Sequence, residues 1–224
     1  MSRLYIIPTP IGNLKDITIR AIEILKEADL VLAEDTRKSR TLLKHFEISK
    51  PVVSHHKFNE HIESERICKQ IESGKDIALI TDAGTPGISD PGFLLVRTCI
   101  EKNIEVETLP GATAFVPALV NSGLPCDRFC FEGFLPQKKG RMKRIRNLED
   151  EERTIVFYES PHRIIKLVDQ IIDIFGPERK ASVSRELTKV YEENIRGSLA
   201  DIAERLKETQ PKGEYVLIVA GKDT

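Results

Sequence analysis

Five short runs between residues 4 and 107, each followed by a stretch with helical spacing, restrict this chain more than any other feature. Leu4-Tyr5-Ile6-Ile7, Leu30-Val31-Leu32-Ala33, Val52-Val53, Ile77-Ala78-Leu79-Ile80 and Ile104-Glu105-Val106-Glu107 read as strands. Ala21, Ile22, Leu25 and Ala28 share one helix face. Leu42, Leu43 and Phe46 mark a second helix. Ile67, Cys68 and Ile71 mark a third, closed by Gly74, and residues 91–102 a fourth. The runs read as uniformly apolar, as strands covered on both faces require. A short helix over about 112–121 ends near Gly123. The rhythm predicts a mainly parallel sheet wrapped by helices.

Ser122-Gly123-Leu124-Pro125 is the expected hinge, dividing an N-terminal domain, 1–122, from a C-terminal one, 123–224. Beyond it, strand signals recur at 129–134, 154–158, 181–185 and 215–220, with helices at about 162–174 and 198–208. The fold class is therefore α/β, with two α/β domains, the second built on a mixed sheet.

Lys plus Arg number 34 and Asp plus Glu 35, so bulk charge points to no polyanion and any such partner needs a local patch. The stretch 137–146 supplies one, with six basic residues in ten: Lys138, Lys139, Arg141, Lys143, Arg144 and Arg146. It reads either as a phosphate clamp or as a solvated helix balanced by Glu149-Asp150-Glu151-Glu152. Arg37, Lys38 and Arg40 are candidates to extend it. Cys68, Cys99, Cys126 and Cys130 form no CxxC pair and read as packed thiols of a reducing cytosol. His55 and His56 close the third strand and His61 follows. No carboxylate or cysteine completes a ligand set, so these are read as core or cleft-edge residues and no metal is expected. His45 beside Phe46 reads as helix surface. No signal-peptide pattern and no apolar stretch of membrane-spanning length occurs, so a cytoplasmic protein without membrane contact is expected.

Three strand ends carry unusual turns. Pro8-Thr9-Pro10-Ile11-Gly12-Asn13 is rigid and leads to a helix that Asp16 or Thr18 can cap. It matches neither GxGxxG nor a Walker loop. Thr81-Asp82-Ala83-Gly84-Thr85-Pro86-Gly87-Ile88-Ser89-Asp90-Pro91-Gly92 packs three glycines, two acids and three hydroxyls into twelve residues. Such a loop orders poorly unless backbone must approach a ligand, and its acids suit a cation or a ribose. Leu109-Pro110-Gly111-Ala112-Thr113-Ala114 ends the fifth strand in the same manner.

PTPIGNLKDIT, AEDTRKSRTLL, TDAGTPGISDPG, LPGATA, FYESPHR and RELTKVYEE occur in this order at fitting intervals. With these motifs the chain resembles the ribosomal RNA small subunit methyltransferase I family, in the tetrapyrrole-methylase-like class, over nearly all its length. The resemblance implies S-adenosylmethionine as methyl donor, folded between the two domains. It further implies 2′-O-methylation of one cytidine in 16S ribosomal RNA of the small ribosomal subunit, and a homodimer. Carried over motif by motif, it assigns the donor to Pro10, Gly12, Asp82, Gly84, Thr85, Gly87, Ile88, Pro110, Ala112 and Thr113. Phe134 and Gly213 close the donor site from the second domain. It also favours the clamp reading of Lys138, Lys139, Arg141, Lys143 and Arg144, joined by Arg163. Many members continue into a C-terminal helical extension, whereas this sequence stops at Asp223-Thr224. Core catalysis is expected to survive without it.

Methyl transfer to a ribose hydroxyl calls for in-line placement and for a base or a cation facing the developing alkoxide. Four clusters interleave acids and bases: Glu34–Arg37, Tyr158–Arg163, Arg185–Lys189 and Tyr191–Gly197. Asp35 or Glu186 is the candidate base, with Lys189 or Arg37 as stabiliser. A desolvated Lys189 of lowered pKa is a further candidate base. Against each stands plain capping, as for Asp35, or surface ion pairing. Two alternatives stay open: a small-molecule, tetrapyrrole-like methyltransferase of the same fold, against which the basic stretch argues, and a non-catalytic ribosome-assembly factor.

Overall fold

The computed structural model describes residues 2–55, 60–208 and 210–224, with the backbone alone at 60–62. The chain forms two compact units, Met1–Thr113 and Ala114–Thr224.

In the first unit, β1 (Arg3–Ile6), β2 (Leu30–Ala33), β3 (Val52–Ser54), β4 (Ile77–Leu79) and β5 (Glu105–Thr108) form a sheet in the order β3-β2-β4-β1-β5. Every pairing in it is parallel. Side chains alternate between faces along each strand. Leu4, Ile6, Leu30, Leu32, Ile77 and Leu79 pack with α3 (Glu60–Glu72) and α4 (Phe93–Glu101). Ile7, Val31, Ala33, Ala78 and Ile80 pack with α1 (Ile19–Glu27) and α2 (Thr36–His45). The central strands are apolar because both faces are covered. The reading of uniformly apolar runs fails at β5: Glu-Val-Glu-Thr alternates because this strand lies at the sheet edge.

The strand order locates a crevice. From β1 the chain passes over β4 to reach β2, by α1 on one face. From β4 it passes over β1 to reach β5, by α4 on the other. The adjacent strands β1 and β4 thus send their connections opposite ways, the switch point at which open α/β sheets bind ligands beyond the carboxyl ends. Thr18 caps α1 by accepting from the Ala21 N–H, whereas Asp16 lies in a short 3₁₀ turn, Leu14–Asp16.

In the second unit, β6 (Phe129–Phe134), β7 (Thr154–Glu159), β8 (Lys180–Arg185), β9 (Glu193–Ser198) and β10 (Tyr215–Val219) order as β6-β7-β10-β8-β9. The sheet is mixed, since β6 and β7 run parallel while β10 is antiparallel to β7 and β8. Ile155, Phe157, Val183, Leu217 and Val219 pack with α6 (Arg141–Arg146), α7 (Ile164–Phe175) and α8 (Leu199–Glu208). Helix α5 (Phe115–Ser122) lies against β7, β8, β9 and β10. Because α5 packs there, the compact second unit begins at Ala114, before the hinge expected at 122–125. Periodicity did not mark β9: its sequence, ENIRGS, is polar, as an edge strand with one free rim is.

Candidate active site

The three turns meet within the first unit. Thr9 and Gly84 exchange backbone hydrogen bonds of 2.8 and 2.9 Å. Thr9 Oγ1 donates to the Thr81 carbonyl at 2.9 Å, and Thr85 Oγ1 to the Ala112 carbonyl at 3.1 Å. Gly111 is required by this closeness, for a Cβ there would lie 2.7 Å from the Cβ of Pro8. Gly84 has φ +84°, a left-handed conformation suited to glycine. The Gly87 N–H donates to the Pro91 carbonyl and Ile88 N–H to that of Thr85, which folds 85–91 into a compact turn with Ile88 exposed. Pro10, Asp82, Gly84, Thr85, Ala112 and Thr113 thereby share one sheet edge. Gly12 and Pro110 lie at the exposed margins of the same turns.

Two polar features suit a hydrogen-bonding ligand. Thr113 Oγ1 is buried and has no hydrogen-bond partner within the protein, an uncommon state that a bound group would relieve. The Asp82 carboxylate is engaged on both oxygens, Oδ1 accepting from the Asp35 N–H at 3.1 Å and Oδ2 pairing with Lys38 Nζ at 2.7 Å. It ties the β4 turn to the start of α2.

Asp35 is the N-cap of α2, accepting from the Arg37 N–H at 2.9 Å. The Arg37 side chain returns onto the same carboxylate, at 3.3 Å from Nε and 3.1 Å from Nη2. These bonds, the guanidinium first, pull the Asp35 pKa down to about 2. Geometry makes Asp35 the cap and anchor of the turn, and a carboxylate held this low is a weaker proton acceptor than an ordinary one. Arg37 is mostly exposed.

In the second unit, Glu186 and Lys189 form one network. Lys189 Nζ lies 2.9 Å from both Glu186 Oε1 and Glu214 Oε2. Glu186 Oε1 also accepts from the Glu214 N–H at 3.0 Å. Burial pushes the Lys189 pKa down, but pairing with Glu186 and Glu214 outweighs it and the value is raised. This pairing keeps Lys189 charged, which argues against a neutral lysine as the base. Glu186 is lowered: burial opposes this, and the Lys189 ammonium and the Glu214 amide overcome it. Gly213 is part of the same structure, since a Cβ on it would sit 2.5 Å from the Glu186 side chain. Phe134, at the end of β6, is exposed, its ring 5.5 Å from that of Tyr158.

The basic stretch divides in two. Lys138, Lys139, Lys143 and Arg144 are exposed, and Arg144 also pairs with Glu132. Arg141 is not part of that surface. It is 3% exposed and pairs with Glu159 at 2.9 Å, with Nε on Gln170 at 2.8 Å and Nη1 on the Pro136 carbonyl. Arg163 binds the other Glu159 oxygen at 2.8 Å. Arg141 thus pins the basic segment to β7 and α7 and offers no charge to a phosphate. A buried carboxylate at 159 demands such cations, which is a signal the FYESPHR motif carried unread.

His55 is buried after β3. His56 and the His61 side chain fall outside the described residues. Among the described residues no group of three or more His, Cys, Asp or Glu is placed to hold a metal ion. All four cysteines are free, Cys68 and Cys99 buried with their sulfurs 3.6 Å apart.

Known proteins share this sequence and architecture. The family described as Tetrapyrrole (Corrin/Porphyrin) Methylases matches residues 3–203. A ribosomal RNA small subunit methyltransferase I from Synechocystis sp. is 48% identical over 222 residues, 99% of this chain and 80% of the relative. One from Thermotoga maritima is 42% identical over 223 residues and covers 100% of both chains. The chain belongs to the ribosomal RNA small subunit methyltransferase I family, within the tetrapyrrole methylases. Solved structures share the fold: diphthine synthase, with TM-score 0.76 and 16% identity over 99% of this chain and 90% of that one. Uroporphyrin-III C-methyl transferase from Thermus thermophilus, complexed with S-adenyl homocysteine, gives TM-score 0.67 and 18% identity over 99% and 98%.

For this family member, sequence reasoning left several residues unassigned. Thr9, Thr81 and Glu214 sit inside or beside the motifs but were not singled out; their roles come from strand neighbours distant in sequence. Among the described residues no helix is long and apolar enough to cross a membrane.

Proposed function

We propose that this chain transfers a methyl group from S-adenosylmethionine to the 2′-hydroxyl of a cytidine in 16S ribosomal RNA, acting as a homodimer. Identity of 42–49% to ribosomal RNA small subunit methyltransferase I proteins, over 97% or more of the chain, carries this reading. The knitted turns at the β1/β4 switch point support it, because they provide the rigid backbone that a donor needs. Bound there, S-adenosylmethionine would supply a methyl group activated by the sulfonium. Thr85 and Thr113 would hold the donor, with Gly84 and Gly111 allowing backbone approach. Asp82 and Lys38 would fix the turn that orients it.

The acceptor hydroxyl must lie in line with the methyl–sulfur bond. As the new O–C bond forms and the C–S bond breaks, the hydroxyl proton leaves to solvent or a nearby carboxylate. Arg37 of the first unit or Lys189 of the second would be the candidate cation for the developing alkoxide. Lys138, Lys139 and Lys143 would meet RNA phosphates.

The deciding experiment incubates the purified protein with labelled donor and undermodified small subunits, then maps the label. Label on a cytidine ribose of 16S RNA is expected. Absence of label from the RNA would overturn the reading.

A further inference from the structure

The first unit holds a hollow that lies between the turns assigned to the donor and a face of α2 with no assigned role. Its volume is about 270 Å³, and Thr9, Pro10, Gly12, Thr81 and Asp82 form one side of it. The opposite side is the α2 face carrying Lys38, Thr41, Leu42 and His45, at helical spacings of three, four and seven, with Ser39 beside them. One wall is therefore the β1 and β4 turns proposed to hold the donor.

Ser39 is the unusual member. It is 3% exposed, and its Oγ is buried without a hydrogen-bond partner. A serine inside a helix ordinarily satisfies its hydroxyl on the carbonyl four residues back. Thr41 does so on Arg37 at 3.1 Å and Thr98 on Leu94 at 2.8 Å. Ser39 does not, although its own N–H reaches the Asp35 carbonyl. A buried polar atom left in this state costs stability unless something else completes it.

The rest of the lining suits a flat, partly polar group. Pro10, Leu14 and Leu42 are apolar, and Lys38 is a largely exposed cation resting on Asp82. The hollow, at about 270 Å³, falls just below the roughly 300–1,000 Å³ range of small-molecule sites, room for one nucleoside and too little for a tetrapyrrole. Enzymes that modify a base extrude its nucleotide into such a pocket, read by hydrogen bonds and held between apolar side chains, and a ribose acceptor can be presented in the same way.

We propose that this hollow receives the acceptor nucleoside, with Ser39 Oγ hydrogen-bonded to it and Leu42 packed on its face. The proposal rests on the methyltransferase reading above and names where the acceptor docks. Lys38 then lies where it can share its charge with a flanking phosphate.

The test measures methylation of small subunits and donor affinity by calorimetry for wild type, Ser39→Ala, Ser39→Thr and Leu42→Trp. Ser39→Ala removes one buried hydrogen bond to the acceptor and should lower kcat about tenfold. Ser39→Thr keeps the hydroxyl and should retain most turnover. Leu42→Trp fills the hollow and should lower kcat at least as much. KM for subunits and donor affinity should stay within about twofold, since Lys138, Lys139 and Lys143 lie elsewhere and Thr85 and Thr113, proposed to hold the donor, do not line the hollow. Unchanged kcat in both Ser39→Ala and Leu42→Trp overturns the pocket. So does loss of donor affinity alongside turnover, which would make the hollow part of the donor site. Wild-type protein that methylates no RNA sinks instead the underlying reading.

Discussion

Arg141 and Glu159 form an ion pair, 2.9 Å from Nη2 to Oε2, with side chains 4% and 0% exposed. Glu159 also accepts from Arg163 and from the Ser160 N–H. The pair ties the start of α6 to the end of β7, so the exposed lysines beside it hang from a fixed point.

Removing one partner of a buried pair strands the other charge. Glu159→Ala should destabilise the protein by about 3–5 kcal/mol in urea denaturation. The double variant Arg141→Met with Glu159→Leu should recover much of that loss. Equal losses in both would mean the pair stabilises in its own right.

The basic segment yields a separate prediction. Replacing Lys138, Lys139 and Lys143 by Gln should flatten the dependence of log K on log salt by about two units for single-stranded RNA. Fluorescence anisotropy across a salt series reads this directly. Arg141→Gln should alter stability and leave that slope in place, because its guanidinium faces Glu159 rather than solvent.

Gly213 has φ +88°, and a Cβ there would meet the Glu186 side chain. Gly213→Ala should cost about 1–2 kcal/mol from the left-handed backbone alone. It should also slow turnover by displacing Glu186 from Lys189. Thermal unfolding and single-turnover rates check the two effects, and a variant equal to wild type in both would refute the contact.

The pKa directions fix a pH response. Lys189 is raised, so its pairing contributes below the ordinary lysine value and is lost only as pH rises through the folded one. Glu186 is lowered, so its contribution holds above the ordinary glutamate value and fades as pH falls. Neither group titrates between about pH 6 and pH 9. Lys189→Met should therefore reduce kcat without removing any limb of the profile in that window. A limb that vanished with the lysine would restore it as a base. Asp35, held at about 2, should stabilise the fold from neutrality down to the ordinary aspartate range and lose that contribution as pH falls toward 2. Asp35→Ala should show a shallower acid limb in unfolding scans.

Much of the architecture was legible along the chain. The strands β2 and β6 and the helices α7 and α8 stand within two residues of where apolar periodicity put them. Such elements are written locally, because a buried face imposes its repeat on the residues that form it. The edge strand β9 was not legible as an element, since an exposed rim imposes no apolar repeat, and α6 was legible only as one reading of the basic stretch, because Met142 and Ile145 are too few to set a repeat. The donor turns announced themselves by their glycines and prolines, whose backbone demands are also local.

The sequence by itself determined that two α/β units would form and which turns would be rigid. Only the tertiary structure decided what those residues do to one another. It closed Thr9 onto Gly84 and Gly111 onto Pro8, buried Arg141 under Glu159, and set Lys189 between two carboxylates. Charge and pKa depend on neighbours brought together from tens of residues away. Composition counts an arginine as a cation, whereas burial and pairing determine whether that cation meets RNA or a carboxylate.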